Sequence, residues 1–175
     1  MNLLPTGLSE VFRVQVDPIV DERGLFARTF CADTFARYGL VSSFRQCNTS
    51  WNTYRGTLRG MHYQADPRPE VKLVRCTRGK VYDVVIDLRP TSATYKKWIG
   101  IELNAESREG LYIPAGCAHG FQTLTDNSEL FYQMSEDYVP ELARGVRWND
   151  PIFNILWPLS PIHISDRDRQ FSDYP

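Results

Sequence analysis

The sequence predicts an all-β fold, a sandwich or barrel closed on itself with a few short helices. Seven short runs carry most of that reading: Thr57–Gln64, Val71–Thr77, Lys80–Leu88, Trp98–Leu103, Gly110–Ile113, Gly120–Thr125 and Glu129–Ser135. Gly, Pro, Asp or Asn separates each from the next, and many short strands at fairly even spacing fit a closed all-β architecture. Upstream, V-F-R-V-Q-V at 11–16 largely alternates apolar with polar residues, as a strand with one buried face does. The 175 residues, 42% hydrophobic and 13% aromatic, suffice for one domain (1–175) with a core of its own.

In chain order, D-P-I-V-D-E-R-G at 17–24 reads as a turn-rich link into a second strand, Leu25–Phe30. A short helix is expected from Ala32 to Gly39, with Asp33 as its cap, Phe35 and Tyr38 one turn apart, and Gly39 ending it. Phe44–Ser50 is another expected strand and Asn52–Gly56 a polar loop. Ala65–Glu70, with Pro67 and Pro69, is an extended loop long enough to border a site. After Arg144 the chain holds Trp148, Pro151, Trp157, Pro158 and Pro161, an irregular tail expected to wrap back on the body.

Net charge is −1 with Lys and Arg scattered, so the sequence lacks the basic stripe that nucleic acid demands. No apolar run approaches a membrane span, and M-N-L-L-P-T-G lacks the regions of a signal peptide. Cys31, Cys47, Cys76 and Cys117 show no C-x-x-C spacing, which removes the zinc and redox-motif readings. They are expected as reduced thiols of a cytoplasmic protein, with Cys76 and Cys117 filling the core.

Chemistry concentrates around R-G-M-H-Y-Q at 59–64. On a strand, Gly60, His62 and Gln64 share one face. Metal-binding barrels bring histidines together as H-x-H; here Gln64 holds the second position and the next strand offers the cation Lys72, which opposes a metal ion. His62 is then free to accept a proton near neutral pH, given a carboxylate on its other ring nitrogen, for which Asp83 and Asp168 are candidates. Alone, His62 would more often be a buried, satisfied histidine. Arg59, Lys72, His119 and Tyr132 also interrupt apolar sequence, and burying so many polar groups without use is costly, so a shared wet cavity is expected. Tyr132 could transfer a proton from the side opposite His62, and Lys72 could stabilise an oxyanion. Arg23, Arg59 and Arg167 are surface charges by default, though an arginine fork suits a diphosphate, and His119 is by default a turn histidine bonded to backbone.

Taken in order, R-G-M-H-Y-Q, K-L-V-R-C-T-R-G, Y-D-V-V-I-D-L-R, Y-I-P-A-G-C-A-H-G-F, F-Y-Q-M and R-G-V-R-W-N-D-P resemble the dTDP-4-dehydrorhamnose 3,5-epimerase family, as do D-E-R-G-L-F and I-S-D-R-D near the two ends. The resemblance covers nearly the whole chain. It implies a metal-free cupin, a double-stranded β-helix or jelly roll, acting without a cofactor on a nucleotide-linked 4-keto-6-deoxy sugar. It also implies roles: His62 the base, Tyr132 the acid, Asp168 orienting the imidazole, Lys72 stabilising the enolate, and Asp83 a further support. Arg23, Gln46, Asn48, Arg59, His119 and Arg167 are implied around the nucleotide, diphosphate or sugar, with Tyr138 and Phe26 stacking on the base. A homodimer whose N-terminal strands cross to the neighbouring site is implied too. Arg28 and Ala143 stand where well-known members carry carboxylates, at the expected nucleotide end rather than at the proton chemistry. The alternatives within reach are a 3-epimerase on this or another nucleotide's keto-sugar (CDP, for instance), a sugar-nucleotide-binding cupin without catalysis, and a metal-dependent cupin enzyme.

Overall fold

A computed structural model describes residues 1–175. Its strands are β1 (Asn2–Pro5), β2 (Phe12–Gln15), β3 (Ile19–Asp21), β4 (Gly24–Phe26), β5 (Gln46–Asn52), β6 (Leu58–Gln64), β7 (Lys72–Arg78), β8 (Lys80–Asp87), β9 (Trp98–Asn104), β10 (Gly110–Ile113), β11 (Cys117–Thr123), β12 (Ser128–Met134) and β13 (Ala143–Gly145). Two short helices, α1 (Ala32–Arg37) and α2 (Asp166–Arg169), and a 3-10 turn at Pro140–Leu142 complete the elements. No helix is long and apolar enough to cross a membrane.

The strands form a six-stranded sheet in the order β1-β2-β10-β7-β12-β5 and a five-stranded sheet in the order β13-β6-β11-β8-β9, with β3 and β4 as a separate hairpin. Every ladder within the sheets is antiparallel. The result is the cupin-like β-sandwich. Side-chain alternation explains how it holds together. Val74, Cys76, Leu111, Ile113 and Leu130 of the larger sheet meet Val81, Val85, Leu103, Cys117 and Phe121 of the smaller in one buried cluster. Residues of opposite parity face outward. Leu73, Val14 and Tyr112 are covered by Phe35 of α1 with Phe30 and Phe44. Val84, Ile86 and Ala118 are covered by Val146, Phe153 and Ile155 of the C-terminal segment. The tail does wrap back, and Asp150 holds it there by accepting the Tyr174 amide at 2.6 Å.

Cys76 and Cys117 sit in the core as expected, where burial pushes their thiols up to about 11 and about 12. Asn2–Pro5 forms a further strand that pairs with β2. Three expectations need correction. The link at 17–24 contains β3, which pairs with β4, so the second strand is a short hairpin arm ending at Phe26 and not at Phe30. Asp33 does not cap α1; Cys31 occupies the cap position without a side-chain bond, and Asp33 lies in the first turn. Finally, β11 begins at Cys117 and not at Gly120, which moves His119 from a turn into a strand.

Candidate active site

His62 and His119 are cross-strand partners on β6 and β11. Directly opposed residues on neighbouring strands share a face, so both imidazoles project into the sandwich. Two glycines allow the strands to meet there. Gly60 has φ +123, and a Cβ on it would lie 2.6 Å from Gly120 Cα; a Cβ on Gly120 would lie 2.7 Å from Arg59 O. The register shifts between His119 and Phe121, at the same place. A side chain at either position would push the two strands apart and misplace both histidines.

Each histidine is tied to its own carboxylate. His62 Nε2 is 2.6 Å from Asp168 Oδ1, and the other oxygen of Asp168 accepts the Gly60 amide at 3.1 Å. Burial raises the Asp168 carboxyl, but the bonds from His62, Gly60 and Ser165 outweigh it and hold the group below the ordinary aspartate range. The ionised carboxylate fixes the Nε2–H tautomer and leaves Nδ1 with the free lone pair. Asp168 is on α2, whose N-cap Ser165 accepts the Asp168 amide at 3.1 Å. Phe171, just beyond α2, lies edge-on to His62 with ring centroids 5.9 Å apart. Its ring rests on Gly145 of β13, the residue paired with His62, where any side chain would collide with it.

The second carboxylate candidate for His62, Asp83, is engaged elsewhere. Fully buried on β8, it lies 2.9–3.0 Å from His119 Nε2 through both oxygens. His119 is therefore neither a turn residue nor bonded to backbone.

The facing sheet supplies the other groups. Tyr132 on β12 pairs with Val74, and Met134 pairs with Lys72 on β7, so Tyr132, Met134 and Lys72 point the same way. Tyr132 meets His119 edge-on, ring centroids 5.8 Å apart. Burial, reinforced by the nearby Asp83 charge and only partly offset by Arg59, raises its phenol well above the ordinary value, so the hydroxyl is held as a proton donor. Lys72 is 5% exposed and ion-paired with Glu70. Burial lowers its ammonium below the ordinary lysine value, opposed by the Glu70 charge.

A cavity of about 270 Å³ lies between the sheets, walled by His62, His119 and Gly120 on one side and Lys72, Tyr132, Met134 and Asn48 on the other, with Arg59 at its edge. Two further cavities open from His62. One, of about 200 Å³, is lined by Gln64, Glu70, Lys72, Tyr138, Ala143 and Arg167. The other, of about 620 Å³, is lined by Arg59, His163, Arg167 and Asp168. Gln46 holds Tyr138 at the rim by accepting its amide at 3.0 Å. Arg59 is braced by donating to Asn52 Oδ1 at 2.7 Å. Gln64 is spent on structure: its amide group donates to Arg68 O at 2.6 Å and Asp137 O at 3.1 Å, and accepts from Val139 N at 2.8 Å.

One set of predicted residues is not brought here by this chain. Arg23 and Phe26 lie on the β3–β4 hairpin, which lines a different cavity with Ile19, Asp21 and Leu25. Arg23 is paired with Asp21, and Phe26 is 71% exposed. Conversely, Glu70, Ser165 and Phe171 escaped the sequence reading. Glu70 carried the one available signal, a carboxylate two residues before a lysine in apolar sequence.

Residues 5–174 match the family model for dTDP-4-dehydrorhamnose 3,5-epimerase. The chain belongs to that family. The epimerase is 40% identical to dTDP-4-dehydrorhamnose 3,5-epimerase of Shigella flexneri over 169 residues, 96% of this chain and 93% of the relative. It superimposes with a TM-score of 0.89, at 34% identity, on the Legionella pneumophila dTDP-6-deoxy-D-glucose-3,5-epimerase crystallised in complex with dTDP-4-keto-L-rhamnose; the match covers 95% of this chain and 89% of that one. It is also 37% identical to dTDP-4-dehydrorhamnose 3-epimerase of Streptomyces niveus, over 97% of this chain and 82% of the relative.

Proposed function

We propose that the epimerase converts dTDP-4-dehydro-6-deoxyglucose to dTDP-4-dehydrorhamnose by removing and returning protons at carbons 3 and 5, on either side of the ketone. The observation that supports this most is the disposition of the proton-transfer groups. The His62–Asp168 pair comes from one sheet and Tyr132 from the other, with a cavity between them. Inverting a carbon next to a carbonyl requires a base on one face of the ring and an acid on the other. His62 Nδ1 takes the proton, Asp168 keeps the imidazole in its tautomer and stabilises the cation formed, and the Tyr132 phenol returns a proton from the opposite side. A hydrogen α to a ketone is acidic only when the enolate oxygen is stabilised, and Lys72 supplies a buried positive charge for it. Asp83 acts indirectly, by aiming His119 at a sugar hydroxyl or the ketone.

The nucleotide and diphosphate lie, in this reading, along the rim. Arg59 and Arg167 face the phosphates, and Asn48, Gln46 and Tyr138 border the sugar and base. Arg23 and Phe26 are contributed by the hairpin of a second copy of the chain in a homodimer. What supports that is the hairpin's separation from its own site, with Ile19, Val20 and Phe26 each at least 70% exposed. A monomer in sedimentation at micromolar concentration would count against it.

The test is turnover of dTDP-4-dehydro-6-deoxyglucose by His62→Ala. Loss of turnover by about 10²-fold or more in a folded protein is expected, since general base catalysis contributes at least that much. Full activity would end the mechanism. A second reading, epimerisation at carbon 3 alone, is favoured by the likeness to the Streptomyces niveus 3-epimerase.

A further inference from the structure

Lys72 stands at the junction of two cavities. It lines the 270 Å³ space with Tyr132 and His119 and the 200 Å³ space with Glu70 and Tyr138, and His62 and Met134 are the other residues common to both. An ammonium there is almost out of water, and an unpaired buried cation would shed its proton rather than stay charged. Glu70 is the only carboxylate paired with it.

Glu70 itself is held in place. Its side chain is 9% exposed. The loop before it is tied down at Ala65 N, which donates to Leu142 O at 2.9 Å, and at Arg68, whose guanidinium reaches Glu136 at 2.6 Å and Asp137 at 3.1 Å. Directly after it, Val71 N donates to Ser135 Oγ at 2.8 Å and Val71 O accepts the Ser135 amide at 3.0 Å. A surface ion pair would wander; this one is clamped on both sides in sequence.

We infer that Glu70 is a positioning residue for the reaction, the counter-charge that keeps Lys72 protonated and aimed at the junction where the ketone oxygen must come. Glu70 lines only the cavity away from Tyr132 and His119, so it touches neither reacting carbon in this arrangement and acts through Lys72. The inference rests on the enolate-stabilising role proposed above for Lys72, but its physical core does not. Glu70 governs the ionisation of Lys72 whatever substrate the cavity takes.

The chain has four lysines, Lys72, Lys80, Lys96 and Lys97, so the ammonium of Lys72 is resolvable by NMR with isotopically labelled lysine side chains and identifiable from its loss in Lys72→Arg. Glu70→Gln keeps size and hydrogen-bonding capacity and removes the charge. The Lys72 titration midpoint is expected to fall by about one pH unit or more in Glu70→Gln. In parallel, kcat should drop by ~10-fold at neutral pH, its alkaline limb should move to lower pH, and KM should stay within about twofold. Glu70→Asp should recover part of both effects. An unchanged Lys72 midpoint in folded Glu70→Gln overturns the inference. A shifted midpoint in a protein that never turns over the keto-sugar would sustain Glu70's hold on Lys72 and reject the proposed reaction instead. Should Glu70→Gln not fold, the same titration in Glu70→Ala, which also removes the charge, decides: a midpoint identical to that of the unaltered protein refutes it.

Discussion

His62 Nε2 and Asp168 Oδ1 lie 2.6 Å apart although 106 residues separate them in the chain. The carboxylate arrives on a one-turn helix of the C-terminal segment and touches β6 twice, once at the imidazole and once at the Gly60 amide. One side chain thereby fixes the tautomer of the imidazole and docks the tail.

The two roles separate by substitution. Asp168→Asn keeps the shape but no longer favours the Nε2–H tautomer or the imidazolium. The kcat should fall by about 10²-fold or more with little change in KM. Stability should change as well, and in a defined pH window. Because Asp168 ionises more readily folded than unfolded, the unfolded chain binds more protons around pH 4 and below. The stability this contributes is present above the unfolded value near 3.8 and is lost as pH falls through the lower, folded value. Thermal melts from neutral pH down to pH 3 should show a steeper acid loss in the parent protein than in Asp168→Asn. Parallel curves would contradict the linkage.

At the alkaline end two groups shift in opposite directions. Burial holds the Tyr132 phenol protonated well beyond its ordinary range, whereas burial makes the Lys72 ammonium easier to deprotonate. Activity should therefore decline with rising pH because Lys72 loses its charge, at a pH below the ordinary lysine value of 10.5. In pH profiles, Tyr132→Phe should lower the whole curve without moving that limb. Lys72→Arg, always charged, should abolish the limb on whatever rate remains. A limb that survives in Lys72→Arg assigns the titration elsewhere.

Much of this was readable in the residues. Alternation placed Gly60, His62 and Gln64 on one face, and the strands from Thr57 to Ser135 were recognisable because turn residues bound each of them. What failed did so for local reasons. P-A-G-C-A reads as a long turn, yet the turn is confined to Ala115 and Gly116, with φ +81 at Gly116, and β11 begins at Cys117. Pro18 and Gly24 read as loop signals and hid a hairpin. Asp168 was one of two candidate carboxylates for His62, and family likeness rather than pattern chose it over Asp83, since no periodicity links a tail helix to a strand so distant in sequence. Glu70 was hidden in a proline-flanked loop whose packing only the folded chain reveals.

Gly60 offers a check on the geometry that does not depend on turnover. With φ +123 and Gly120 Cα 2.6 Å from any added Cβ, Gly60→Ala combines an unfavourable backbone conformation with a backbone collision. The variant should lose more than ~2 kcal/mol of unfolding free energy. By contrast Gly39→Ala also has positive φ but meets nothing within 4 Å, and should lose about 1 kcal/mol. Denaturant titration of the two proteins checks the order. Equal losses would mean that β6 and β11 do not depend on this close approach.

The most direct test of the whole account is proton NMR of dTDP-4-dehydro-6-deoxyglucose incubated with the enzyme in deuterated water. A base and an acid on opposite faces of the sugar predict deuterium at both carbon 3 and carbon 5, with the product in the doubly inverted configuration. In His62→Ala, no label should enter at either carbon. Label at carbon 3 alone would reduce the reaction to a single epimerisation. Absence of exchange at both carbons with the intact enzyme would contradict the proposed chemistry.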